Sequence, residues 1–406
     1  MTDQSAYFRK GFGLKEAIQG ALTEDYHSAL VEEVRARGYV LSIDGVTVRL
    51  AKEFGFCYGV DRAVEYAYEA RRKFPERRIW LVGEIIHNPH VNARLASMGI
   101  VIIRRSEEGT FDFGGVAPDD VVILPAFGVT KGDFDKLRAV GCVLVDTTCG
   151  SVLNVWKRVE SYARDGFTAL IHGKHFHEET KATASQVAKY PDGRYLVVRD
   201  MGEARLVCDF IERGQGLEQL RSRFVNAVSP GFDFERDLAR IGVANQTTML
   251  SGESLAIAAE VRRSLVARYG ESDAAERFRS FDTICSATQD RQDAVLRMLE
   301  EGIAVAVVIG GYNSSNTNHL AALCAERVPT YHVEDATCID PAARAIRHKP
   351  VAASTEIVTA DWLPASASVT VGVTAGASTP NVKVGEVIAL IFQTRGIEVT
   401  AALAAQ

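Results

Sequence analysis

Three cysteines, each in a turn at the start of a helical run, most constrain what this chain can fold into. The first lies in Phe54-Gly55-Phe56-Cys57-Tyr58-Gly59-Val60-Asp61-Arg62, between the alternating run Val46 to Leu50 and the amphipathic run Ala63 to Ala70. That order predicts strand, tight turn and helix. Asp146-Thr147-Thr148-Cys149 repeats it between Val143-Leu144-Val145 and the helical stretch Val152 to Ala163. Asp282-Thr283-Ile284-Cys285 repeats it again before Gln292 to Leu299. A cysteine beside a helix N-terminus meets free N–H groups and the positive end of the dipole, which favour thiolate.

Ile100 to Ile103 and Val121 to Ala126 are apolar strand runs, Ile79 to Ile86, Thr168 to His172, Ile303 to Ile309 and Ser368 to Thr374 also read as strands, and Ile241 to Leu250 reads as a strand leading to a turn. Helical stretches separate them. Strands without polar alternation are buried on both faces, so the fold class is α/β with mainly parallel sheets. A length of 406 residues exceeds one ordinary domain. The predicted division is an N-terminal extension at 1–45 and three α/β domains at 46–149, 150–284 and 285–406. Gly214 to Asp237 and Asp340 to Asp361 read as loops.

No run of about 18 apolar residues occurs, which predicts no membrane span. Met1 to Lys10 has no apolar signal core, and a cytoplasmic protein is expected. The net charge of −6 argues against general nucleic-acid binding, so any phosphorylated ligand needs a local site. Seven cysteines, odd in number and without a CxxC, do not make a disulfide framework. Cys142, Cys208 and Cys324 sit in apolar patterns as small hydrophobes; Cys338 lies in a polar loop.

Three thiolates without an evident fourth suit an iron–sulfur cluster, with a Cys₃His zinc site and simple burial as the alternatives. The turn His172-Gly173-Lys174-His175-Phe176-His177-Glu178-Glu179-Thr180 is rich in acid–base groups, although Glu in a first helical turn is also ordinary. Tyr312-Asn313-Ser314-Ser315-Asn316-Thr317-Asn318 and Thr374-Ala375-Gly376-Ala377-Ser378-Thr379-Pro380 each follow an apolar strand and open a helix. Hydroxyls, amides and free N–H groups there make an anion site, or ordinary caps. Neither stretch is a Walker A or G-x-G-x-x-G pattern, so no nucleotide is indicated.

Taken together, GFCYGVDRA, EIIHNPHVN, DTTC, HEET, NQTTML, DTICSATQDRQDA, GGYNSSNTNHL and GVTAGASTP resemble the 4-hydroxy-3-methylbut-2-enyl diphosphate reductases, which act last in the non-mevalonate isoprenoid pathway. The resemblance runs from about Val46 to the C-terminus. The PAFG form at Pro125 to Gly128 and the N-terminal extension resemble the plant and cyanobacterial branch. It implies three α/β domains in pseudo-threefold arrangement around a central [4Fe–4S] cluster held by Cys57, Cys149 and Cys285. It also implies substrate contacts from His87 and His177, and proton donation by Glu179 with Thr247 in support. The diphosphate would lie on Ser314, Ser315, Asn316 and Ser378. The implied reaction removes the allylic hydroxyl as water with two electrons and two protons, giving isopentenyl and dimethylallyl diphosphate. A ferredoxin-type electron donor and a homodimer go with it. Two positions depart from the pattern: Phe127, where many bacterial members carry His, and Gly150, where Pro is expected. A non-enzymatic iron–sulfur sensor or carrier, and a redox-neutral cluster hydro-lyase, are the competing classes.

Overall fold

The computed structural model describes residues 7–107, 109–281 and 283–404; Asp282 of the third cysteine tetrad lies outside them. The chain forms two compact units. One comprises Met1–Lys10, Phe74–Ile85 and Gly99–Cys285; the other comprises Gly11–Lys73, Ile86–Met98 and Ser286–Gln406.

The first unit holds two sheets. In the larger, Tyr7–Phe8, Val143–Asp146, Val121–Leu124, Ile79–Val82 and Ile100–Ile103 lie side by side in that order, all parallel. In the smaller, Phe278–Ser280, Ile241–Asn245, Thr168–His172 and Arg194–Val198 are again all parallel. The central strands of both are buried at every residue, as continuous Val, Ile and Leu runs require. Tyr162 lies flat against one of them. A Cβ at Gly242 would come within 2.4 Å of its ring, so only glycine permits this approach.

The second unit holds a five-stranded sheet in the order Thr330–Val333, Val305–Ile309, Val369–Ala375, Val46–Leu50, Val40–Ile43, with only the last pair antiparallel. Beside it is a small antiparallel sheet of Ile339–Asp340, Ala345–His348 and Ile357–Ala360.

Three mainly parallel sheets bear out the α/β reading, but the division of the chain differs from the one predicted. Val46–Leu50 does not begin a first domain ending near residue 149. It pairs in register with Val369–Val373, and Val46, Val48 and Leu50 enter the same core as Val371 and Ile388. The helix Tyr58–Lys73 goes with it, so Cys57 belongs to the unit built mostly from the C-terminal third. The expected extension at 1–45 is also built in: Val31, Val34 and Leu41 are core residues, and Tyr7–Phe8 is an edge strand of the first unit. The stretch read as a loop at 340–361 carries two of the antiparallel strands, and 214–237 carries the short helices Leu217–Arg223 and Phe234–Asp237. Among the described residues, no helix is long and apolar enough to cross a membrane.

Candidate active site

Cys57, Cys149 and Cys285 are partly exposed, whereas Cys142, Cys208, Cys324 and Cys338 are buried. Burial pushes the thiols of Cys142, Cys208 and Cys324 up to about 11, 12 and 12, so none is a ready thiolate. Cys338, unassigned from sequence, is a core residue whose Sγ lies 3.8 Å from the Tyr312 hydroxyl.

Cys149 follows the strand Val143–Asp146 and is the N-cap of the helix Gly150–Arg164, without a side-chain capping bond. Its N–H donates to the Ala126 carbonyl at 2.9 Å, and the Thr147 hydroxyl donates to the Leu124 carbonyl at 2.7 Å. The turn is therefore sewn to the neighbouring strand on both sides of Thr148. Ser151, two residues on, donates from Oγ to the Cys285 Sγ at 3.3 Å. Two of the three marked cysteines thus share one locus. The expected thiolate at Cys149 is not favoured by the protein alone. Burial raises its pKa, the Ser151 N–H opposes the rise, and the neighbouring Cys285 charge adds to it. A thiol whose ionisation is opposed by burial suits a bound cation, which removes that penalty.

Glu179 reaches the same locus through Thr247. The strands Thr168–His172 and Ile241–Asn245 are parallel neighbours with His172 opposite Asn245, so the turns that follow them lie together. Gln246 joins the turns: its N–H donates to the His172 carbonyl at 2.8 Å, and its Oε1 accepts from the Lys174 N–H and the Thr180 hydroxyl. Glu179 is 2% exposed. Thr247 donates to both its carboxyl oxygens, from N–H at 2.6 Å and from Oγ1 at 2.9 Å. The Thr247 carbonyl in turn accepts the Cys285 N–H at 3.2 Å. His177 caps the helix Glu178–Ala184, its Nδ1 accepting the Glu179 N–H at 3.2 Å, and its ring meets Phe127 edge-on at 5.8 Å. Phe127, the residue that departs from the bacterial pattern, therefore packs an apolar ring on His177. His172 is structural: fully buried, bonded through Nδ1 to the Ser254 hydroxyl, and lowered to about 4 by burial.

The second unit carries Cys57, His87 and the two hydroxyl-rich turns. Cys57 immediately precedes the helix Tyr58–Lys73 and donates its N–H to the Ala377 carbonyl at 3.2 Å. Ser378, the next residue, donates from Oγ to the His87 carbonyl at 3.1 Å, while Asn313 Nδ2 lies 3.4 Å from the His87 Nδ1. Gly311 backs onto this point; a Cβ there would be 2.8 Å from the His87 carbonyl oxygen.

Ser314 caps the helix Ser315–Ala325, its Oγ accepting the Thr317 N–H at 3.3 Å. The Asn316 Oδ1 accepts the Ala377 N–H at 2.9 Å, tying the two turns together. Ser315 Oγ, Asn316 Nδ2, Thr317 Oγ1 and Thr374 Oγ1 are buried and have no hydrogen-bond partner among the described residues. Orphaned donors are costly, and three at one helix N-terminus, with Thr374 at the end of the strand Val369–Ala375, match an anion with several oxygens. Ser315 and Asn316 are thus the best-equipped of the four residues named from the diphosphate resemblance. Ser314 and Ser378 already make protein contacts. Sequence reasoning missed Ser151, Gln246, Asn313, Thr317 and Thr374. Asn313 and Thr317 stood inside the GGYNSSNTNHL motif and Thr374 headed the second turn, but only burial reveals their unmet or shared bonds.

Cysteines, a buried acid and unpaired donors all lie where parallel strands end and helices begin, the ligand-binding edge of α/β proteins. The chain belongs to the LytB protein family, whose sequence profile matches residues 48–392. It is 50% identical over 395 residues to the 4-hydroxy-3-methylbut-2-enyl diphosphate reductase of Gloeobacter violaceus, spanning 96% of this chain and 93% of the relative. With the enzyme of the same name from Thermosynechococcus vestitus it shares 48% over 392 residues, 96% of this chain and 95% of the relative. A solved structure of (E)-4-hydroxy-3-methyl-but-2-enyl diphosphate reductase, described as the terminal enzyme of the non-mevalonate pathway, superposes with a TM-score of 0.51. It is 26% identical and covers 85% of this chain and 98% of its own. The Plasmodium falciparum E-1-hydroxy-2-methyl-but-2-enyl-4-diphosphate reductase shares the fold with a TM-score of 0.61, at 19% identity over 85% of this chain and 87% of its own.

Proposed function

We propose that this protein reduces 4-hydroxy-3-methylbut-2-enyl diphosphate, removing its hydroxyl as water with two electrons and two protons to give isopentenyl and dimethylallyl diphosphate. Family membership and near-full-length similarity to reductases of that name support this reading. The observation that carries it in this chain is the buried Glu179 carboxyl, held at both oxygens by Thr247, whose carbonyl accepts the Cys285 N–H.

Cys57, Cys149 and Cys285 would hold a [4Fe–4S] cluster. The donor set fits, since these are the partly exposed cysteines, the Ser151 hydroxyl beside Cys149 donates to the Cys285 Sγ, and a cation would relieve the burial penalty on the Cys149 thiolate. When bound, such a cluster supplies electrons and one iron without a protein thiolate, able to act as a Lewis acid. Glu179 delivers the proton that lets the hydroxyl leave as water, and Thr247 fixes the carboxyl for that transfer. His87 and His177 contact the substrate. Ser314, Ser315, Asn316 and Ser378 hold the diphosphate against the N-terminus of the helix Ser315–Ala325, whose dipole favours the charge. A ferredoxin-type donor, a cytoplasmic location and a homodimer belong to the same proposal.

Anaerobic turnover with a titrated low-potential reductant tests it. The reductase consumes two electrons per product. A redox-neutral lyase would form product without consuming reductant, and an electron carrier would be reduced without forming product.

A further inference from the structure

Arg291 lies in the helix Ser286–Glu300, which begins at the residue after Cys285. It is 4% exposed. Its Nε and Nη2 donate to the Gly55 carbonyl at 3.3 and 2.7 Å, and its Nη1 donates to the Ala287 carbonyl at 2.8 Å. Among the described residues it has no carboxylate at ion-pair distance, although Asp61 feels its charge from further off. A buried guanidinium without an ion partner is strongly unfavourable, and a neutral amide would satisfy a carbonyl at less cost. The charge therefore answers to something other than the Gly55 carbonyl.

That carbonyl belongs to the turn bearing Cys57. Gly55 adopts φ of +71°, and a Cβ there would sit 2.9 Å from the Asn381 Oδ1. Its N–H donates to the Ala375 carbonyl at 3.3 Å, and the Cys57 N–H donates to the Ala377 carbonyl. The strand Val369–Ala375 and its following turn thus hold the Cys57 turn at two N–H groups. Arg291 holds it at the Gly55 carbonyl, from a different element.

We propose that Arg291 is a positioning residue for Cys57: its grip on the Gly55 carbonyl fixes the turn that presents the thiol, and its buried charge offsets the negative charge of Cys57 as a metal-bound thiolate. The charge role rests on Cys57 being a cluster ligand; the grip does not. Outer-shell partners of metal ligands typically contribute about 10–100-fold in affinity or activity.

The test uses the full chain with Arg291→Met, Arg291→Lys and Cys57→Ser. In the metal-free protein, mass-resolved alkylation of each cysteine should show Cys57 reacting several-fold faster in Arg291→Met, with Cys324 and Cys338 of the same unit still protected. After anaerobic reconstitution, Arg291→Met should release iron to a chelator about 10–100-fold faster than wild type. Arg291→Lys, which keeps the charge but cannot make the fork, should fall between. Wild-type alkylation and release rates in a folded Arg291→Met protein overturn the proposal, and so does exposure of Cys324 and Cys338 together with Cys57. If Arg291→Met does not fold, a wild-type release rate in Arg291→Lys overturns it instead. A full iron content in Cys57→Ser would overturn the ligand reading and the charge role with it, while the alkylation result still decides the grip.

Discussion

Replacing Glu179 by Gln separates proton delivery from structure, because the surroundings of this side chain tolerate the amide. The Gln oxygen can accept the Thr247 N–H that Oε1 now accepts at 2.6 Å. The Gln nitrogen faces the Thr247 hydroxyl, now 2.9 Å from Oε2, which can turn from donor to acceptor. Both bonds survive with a neutral partner, so the stability change should be about 1 kcal/mol or less. The lost proton transfer is much larger. A positioned acid contributes about 10²–10⁴-fold, or roughly 3–5 kcal/mol of barrier. Anaerobic steady-state kinetics with excess reductant should show kcat reduced by that factor with KM little changed. Thr247→Val removes the Oγ1 donor but keeps the backbone N–H. Losing one charge-assisted bond, worth about 1.5–3 kcal/mol, should lower kcat by roughly 10–100-fold. Glu178 is the internal control. It is turned about 100° from Glu179 on the helix, partly exposed, with Arg105 at 3.8 Å. Glu178→Gln should be nearly silent, as surface ion pairs are worth about 0–1 kcal/mol. A dead Glu178→Gln beside an active Glu179→Gln would refute the assignment.

Two further outcomes are expected. Ser315→Ala combined with Asn316→Ala should raise KM for the diphosphate substrate by about 10²-fold or more, each lost bond to phosphate contributing about 1.5–3 kcal/mol; isothermal titration with inorganic diphosphate checks it, and unchanged affinity moves the anion site elsewhere. His172 should make the metal-free protein acid-sensitive. Burial lowers its pKa from 6.5 to about 4, so the unfolded state takes up the proton first. Its contribution is then fully present above pH 6.5 and lost as pH falls towards 4, by about 3 kcal/mol. Urea midpoints at pH 7.5 and 4.5 should draw together in His172→Asn relative to wild type; an unchanged gap contradicts the prediction.

The parallel α/β character was legible because buried strands such as Val305–Ile309 and Thr168–His172 are unbroken apolar runs. The cysteine turns were legible because Cys57 and Cys149 each follow a strand-like run and all three cysteines stand just before a helix. The division into units was not, since the pairing of Val46–Leu50 with Val369–Ala375 joins segments more than 300 residues apart and leaves no local trace. The strand Ile357–Ala360 was hidden for another reason. Its residues are exposed or half-buried on both faces, so no period-2 pattern forms. At the site, residue types announced the acid and the hydroxyls, but not their partners. Nothing in the sequence says that the Ser378 hydroxyl is spent on the His87 carbonyl, or that the hydroxyls of Thr317 and Thr374 have no partner among the described residues. The thiolate expected at Cys149 failed because the helix N-terminus was weighed without the burial that outweighs it.

The cluster is the centre of the account, and an anaerobic count of iron and acid-labile sulfide, with EPR of the reduced protein, tests it most directly. About four iron and four sulfide per chain are expected. Cys57→Ser, Cys149→Ser and Cys285→Ser should each lose them, while Cys142→Ser, Cys208→Ser and Cys324→Ser should keep them. Zinc without sulfide, or a full complement in any variant of the first three, would contradict the account.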